Sequence, residues 1–339
     1  MVLPTVRAKL FCAAAALLLA VLTVLSLFAG KYPLSLRALL ADDPMQRQVF
    51  LTLRCSRTFV AAAGGFALGA AGFVYQTVFQ NPLASPDIIG VSSGASAGAA
   101  AGILWGASWA GEASRFLLIS SAALTTLSSF LGALIAVVFV LVLSSCDKSG
   151  KKSTIVLAGI AVHSLAQTAL MCLKLTADPE RELASIEYWI MGSLNGISGY
   201  DIVPNFLVCL LSLTALFFLH RQLLLLSAEE GEARMLGVNT GQMRLIVLIL
   251  ATLTVSCVVS LTGLISFIGL LAPHGARLLT KDNRLHTMLL GGLLGGILLC
   301  CADILARTAA PAELPVSIFT SLLGAPFLLF LIFRERRLS

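Results

Sequence analysis

Apolar runs of about twenty residues recur along this chain, separated by short polar stretches, and that spacing predicts helices that each cross a lipid bilayer. Ten such runs are read, at 11–29, 57–79, 88–106, 116–145, 153–175, 202–220, 243–262, 264–280, 286–306 and 314–333. The predicted fold class is all-α, a polytopic membrane protein, with residues 1–339 forming a single transmembrane domain. Alternating segments of about ten residues, the mark of a membrane β-barrel, are absent. The first run exceeds the apolar core of about 7–15 residues found in signal peptides, so it is read as a retained span.

One junction breaks the pattern. In "NPLASPDIIGVSSGASAGAAAG", Asn81 to Gly102, two prolines and an aspartate interrupt apolar sequence. Proline removes a backbone donor and disfavours helix in the residue before it, so Asn81-Pro82 and Ser85-Pro86 are expected to end the second span in a tight turn. Beyond it Gly90, Gly94, Gly98 and Gly102 recur every fourth residue and share one helix stripe. Gly65/Gly69 and Gly291/Gly295 repeat the spacing elsewhere. Small residues so placed let helix backbones approach closely within lipid, where no hydrophobic force holds helices together.

Composition sharpens the class. The chain is 58% hydrophobic and 12% charged, with a mean hydropathy of +0.94; soluble domains carry roughly 25% charged residues. The net charge of +6 reflects basic loops rather than a nucleic-acid partner. With both termini placed inside, 14 of the 23 Lys and Arg residues fall on the inner side, including "KSGKK" and "RERR" in short segments, as the positive-inside rule requires. The eight cysteines contain no CxxC pair and sit mostly in apolar runs, so neither disulfides nor a metal site is expected.

No HExxH or GxxxxGK[ST] signature occurs, so no catalytic site is assigned and any ATPase is a separate chain. The longest inner segment, Arg221–Arg244, contains a capping box at Ser227/Glu230, a helix stop at Gly237 and a second cap at Asn239. It predicts two short helices across 227–241, more than a connector needs, and hence a docking surface. His163, Gln167, Met171 and Lys174 are spaced 4, 4 and 3 on the fifth span and share a face. Polar groups at that depth line a water-filled path or meet another helix. Arg54 and Arg57 open the second span, while Asp303 and Arg307 close the ninth. Those arginines either snorkel to the interface or recognise carboxylates.

Five motifs in order, "NPLASPDIIGVSSGA", "WIMGSL", "GLISFIGLLAPHGARLL", "ADILAR" and "ELPVSIFTSLLGAP", make the chain resemble, from about Arg54 to Leu331, the permease subunits of ABC importers for iron chelates, heme and cobalamin. The resemblance implies ten spans in two inverted-topology halves, paired as a dimer with a second copy or a paralogue. It implies two cytoplasmic ATPase subunits using ATP and magnesium, and a periplasmic binding protein on the other side. Carried over by position, it makes Arg54, Arg57 and Arg307 binding-protein contacts, and Asn81 and Leu83 a cytoplasmic gate. Glu229, Glu230, Glu232, Ala233, Leu236 and Gly237 become the ATPase-coupling helix. His274, within the "PH" pair, is read as structural. Three departures stand out: Glu229 where the family favours glycine, "KDNR" with Asn283 in place of a usual Asp-His-Arg, and Ser317 where glycine is common.

The expected function is therefore uptake of a ferric siderophore across the bacterial inner membrane, with both termini cytoplasmic. Heme and cobalamin are the alternative cargoes, and His163–Met171 is the pair that would suit heme iron. The chain is expected to bind no cofactor, metal or nucleic acid itself; lipid surrounds it. A rival of another class is a secondary transporter with a midplane site made of His163, Lys174 and Asp303.

Overall fold

A computed structural model describes residues 4–30, 44–117, 121–145, 152–197, 199–226 and 239–335. No strand occurs among them, so the all-α class holds. Helix α1 covers Pro4–Phe28. A helical run then starts at Pro44 rather than at Arg57, passes through π-helical stretches at Val49–Cys55 and Val60–Gly64, and continues as α2, Gly65–Val78. A 3-10 turn at Pro86–Ile89 precedes α3 (Val91–Leu117), followed by α4 (Ser121–Ser145), α5 (Lys152–Thr176) and the short α6 (Glu182–Met191). Helices α7 (Gly199–Phe218), α8 (His220–Leu225), α9 (Thr240–Thr262), α10 (Ile268–Thr280), α11 (Leu285–Thr308) and α12 (Val316–Glu335) complete the order.

By length and composition, six stretches among the described residues can cross a membrane: Arg7–Phe28, Met45–Val78, Ser121–Ser144, Thr154–Thr176, Thr240–Thr262 and Leu285–Thr308. The apolar parts of α7 and α12 are shorter. Helix α10, with 13 residues, reaches only about 20 Å at 1.5 Å per residue, short of a hydrocarbon core of about 30 Å. An irregular stretch, 263–267, precedes it.

The chain divides into two packed units. The first contains residues 1–73, 191–202 and 265–339. In it α1 lays Ala15, Phe11, Cys12, Leu19 and Leu22 against Ala276, Leu290 and Ile297 of α10 and α11. Its close crossings are backbone on backbone: a Cβ on Gly65 would sit 2.5 Å from the carbonyl oxygen of Gly295, and Gly69 meets Gly291 in the same way. Leu10, Leu17, Leu18, Val24 and Leu25 point outward from α1, a face that suits lipid.

The second unit contains residues 74–190 and 203–264. Here the expected glycine stripe meets its counterpart, since a Cβ on Gly94 would lie 2.5 Å from the Gly132 carbonyl oxygen of α4, and Gly98 presses on Ser128. Gly90, however, is not part of that stripe. It adopts φ +79 between the 3-10 turn and α3, a left-handed conformation that side-chain-bearing residues rarely accept. A second cluster, Ala100, Leu170, Ala177 and Ile186, folds α6 back against α3 and α5.

Candidate functional site

The break between α2 and α3 is built by local hydrogen bonds. Helix α2 closes with Asn81 N–H donating to the Gln76 carbonyl and Gln80 N–H to that of Thr77, each at 3.2 Å. This is a Schellman closure, with Gln80 left-handed at φ 50. The Asn81 side chain then accepts from Leu83 N–H at 2.9 Å, and Ala84 N–H returns to the Asn81 carbonyl at 3.1 Å. Pro82 fits because a turn needs no donor there. Ser85 is extended, Pro86 opens the 3-10 turn, and Asp87 accepts the Ser92 hydroxyl. Asn81 is exposed and Leu83 is 50% exposed, so the expected gate residues stand on an exposed, hydrogen-bonded turn. Helix α5 abuts this break, with Gly159 lying directly on the Ile88 carbonyl.

The expected face of α5 is split. Met171 is 62% exposed, whereas His163, Gln167 and Lys174 are half-buried. The His163 Nδ1 atom is buried without a hydrogen-bond partner among the described residues. Lys174 Nζ instead pairs with Glu187 Oε1 of α6 at 2.8 Å. Leu157, Ile160, Leu165 and Leu175 are among the outward-pointing residues of this helix, so the four positions do not form one open stripe. Glu187 was invisible to spacing rules because it reaches Lys174 only when α6 folds back.

The arginines receive the largest revision. Arg57 Nε lies 2.8 Å from Asp303 Oδ1, and its Nη1 lies 2.8 Å from Glu313 Oε2. Arg307 Nη2 meets Asp303 Oδ2 at 2.6 Å, four residues on along α11. The same guanidinium donates to the Ser26 hydroxyl at 2.6 Å and to the carbonyls of Ser26 and Ala29 at 3.1 Å. Arg54 donates to the Ala29 carbonyl and fills the place a Cβ of Gly30 would take, which is why Gly30 (φ +143) has none. Arg54, Arg57 and Arg307 are 7%, 8% and 2% exposed. Neither snorkelling nor free presentation to a soluble partner describes them; they are bound within the chain, and Asp303 is fully committed between two of them. Charged groups removed from water persist only when paired in this way. They border a cavity of about 220 Å³ lined also by Val49, Leu53, Leu194, Asn195, Ile197 and Glu313.

These pairings undo the rival midplane site, since Lys174 is spent on Glu187 and Asp303 on Arg57 and Arg307. At the α10–α11 loop, Asn283 accepts from Arg277 Nε at 2.7 Å, and that guanidinium stacks 4.6 Å over Phe73. Asp282 pairs with His286 at 2.7 Å and accepts the Thr287 hydroxyl. Burial pushes the Asp282 carboxyl up, but Thr287, the Arg284 N–H and His286 outweigh it and hold the group below its ordinary range. His274 rests edge-on against Phe327, ring centroids 5.8 Å apart, in keeping with a packing role. Asn239 caps α9 itself, accepting from Gln242 N–H at 3.2 Å, rather than a separate short helix. The expected coupling residues Glu229, Glu230, Glu232, Ala233, Leu236 and Gly237 lie outside the described residues.

Membrane-crossing helices, close glycine crossings and a hydrogen-bonded break between two of them define a polytopic helical membrane protein. The chain belongs to the FecCD transport family, whose model matches residues 18–334, and thus to the permeases of ABC importers. It is 35% identical to the hemin transport system permease HmuU of Yersinia pestis, over 94% of each chain. It is 32% identical to the molybdate import system permease MolB of Haemophilus influenzae, over 95% of this chain and 94% of that one. Among solved structures it resembles an ABC transporter described as of metal-chelate type in an inward-facing conformation, with a TM-score of 0.84 and 31% identity over 95% of this chain and 98% of the other.

Proposed function

We propose that this chain is one permease subunit of an ATP-driven importer for a ferric siderophore. The observation that carries the reading is the family match along residues 18–334, supported by a metal-chelate transporter of the same fold. In this reading two copies, or one copy and a paralogue, enclose the path in the bacterial inner membrane, with both termini cytoplasmic. Two ATPase subunits bind ATP and magnesium and seat against 227–241, and the Asn81–Leu83 turn closes the cytoplasmic mouth. A periplasmic binding protein delivers cargo at the end that carries the Arg57–Glu313 pair. The burial of Arg57 and Arg307 makes them the frame of that docking surface, and leaves Glu313 and its rim as the contact.

A siderophore saturates its iron, so its path needs no metal ligand. Helix α5 exposes Met171 but holds His163 half-buried, so it does not present an imidazole and a thioether together to heme iron. Reconstitution into proteoliposomes with a partner ATPase and binding protein from the same organism tests the reading. ATP-dependent accumulation of a radiolabelled ferric hydroxamate is the expected result. Uptake of hemin or cobalamin alone would reassign the cargo, and uptake driven by an ion gradient without the ATPase would overturn the importer class.

A further inference from the structure

Gln80 occupies a position that glutamine ordinarily avoids. It is the left-handed residue that closes α2, at φ 50, where glycine or asparagine is the usual occupant because a larger side chain crowds the backbone. Its side chain does something glycine cannot. Nε2 donates at 3.2 Å to the carbonyl of Leu226, a residue 146 positions later. Leu226 is the C-cap of α8, 3% exposed, with Leu223 beside it at 1%. Carbonyls at a helix end lack partners from the next turn, so a donor from outside the helix fits this place. On the other side of Gln80, residues 81–84 are closed into one turn by the Asn81–Leu83 and Asn81–Ala84 hydrogen bonds.

The geometry points to Gln80 as the positioning residue that ties the Asn81–Ala84 turn to the end of α8, so that displacement of Leu226 is delivered to the turn through one amide. Strained backbone retained with a specific long-range bond is the arrangement expected of a functional linkage. The inference rests on the reading of the turn as the gate and of the chain following Leu226 as the part that meets the ATPase.

The test uses the whole importer in nanodiscs, stripped of native cysteines and carrying Leu83→Cys. It measures how fast that thiol reacts with a water-soluble maleimide, with and without a non-hydrolysable ATP analogue. With Gln80 in place, nucleotide should change the rate. Gln80→Gly should abolish the change while the thermal midpoint holds or rises, because glycine relieves the left-handed strain. Gln80→Asn, which tolerates the same backbone but is one methylene too short, should abolish it equally. A full nucleotide response in both variants would overturn the role of Gln80 and leave the gate intact. A parent rate indifferent to nucleotide would overturn the gate reading itself, and the linkage with it.

Discussion

Arg57 and Arg307 share a single carboxylate, that of Asp303, at 2.8 and 2.6 Å, and all three side chains are at least nine-tenths buried. Without that charge Arg57 keeps Glu313, but the buried Arg307 is left with only the neutral oxygens of Ser26 and Ala29. Asp303→Asn should therefore destabilise the folded protein by about 3–5 kcal/mol, the range for breaking a buried pair. Glu313, 31% exposed, holds only Arg57, so Glu313→Gln should cost visibly less. Thermal unfolding of the two variants in detergent gives the comparison, and equal losses would contradict the buried network.

The glycine crossings predict a graded steric series. A methyl group at Gly94 would collide with the Gly132 carbonyl, and one at Gly65 with that of Gly295. Gly94→Ala and Gly65→Ala should each lower the unfolding midpoint, by the equivalent of about 1–3 kcal/mol for overpacking. Gly196→Ala serves as a spatial control, since nothing lies within 4 Å of its added carbon. Its φ of +73 still imposes a small penalty there, so its loss should be the smallest of the three.

Acid should act on the α10–α11 loop through Asp282. Its carboxyl is held below its ordinary range, so its stabilising contribution is complete above the unfolded value of about 3.9 and fades as pH falls through the lower folded value. Asp282→Asn should lower stability at neutral pH and flatten its decline below about pH 4. Unfolding midpoints measured from pH 6 down to pH 3, as an approximate working window for a carboxylate, would show a steeper decline in the parent.

Thiol accessibility along α5 should follow the observed exposure rather than the helical wheel. Met171→Cys should react fastest with a water-soluble maleimide in detergent, and His163→Cys and Gln167→Cys more slowly. Fast labelling at 163 would restore the single open stripe that the four spacings predict.

Much of the architecture was legible because it is local. Pro82 and Pro86 each restrict the backbone at their own position, and small residues at every fourth place from Gly94 define a stripe without knowledge of its partner. The partners themselves were not legible. Glu313 reaches Arg57 across 256 residues and Gln80 reaches Leu226 across 146, distances at which no periodicity operates. Arg54 and Arg57 thus looked like surface cations, since nothing in their own neighbourhood announces the acids and carbonyls that bury them, and of the partners of Arg307 only Asp303, four residues earlier, is local. The π-helical stretches were equally hidden, because an added residue per turn leaves apolar composition unchanged.

Where Gly65 meets Gly295 and Gly94 meets Gly132, the touching atoms are main-chain atoms, which every amino acid possesses. Recognition between those helices is consequently indifferent to most of the side chains around it. Provided the crossing points stay small, the remaining positions on these helices can be rewritten for bulk, charge or hydrogen bonding without renegotiating how the helices meet. Such a scaffold separates the problem of assembling a membrane channel from the problem of what passes through it, and leaves the second open to drift.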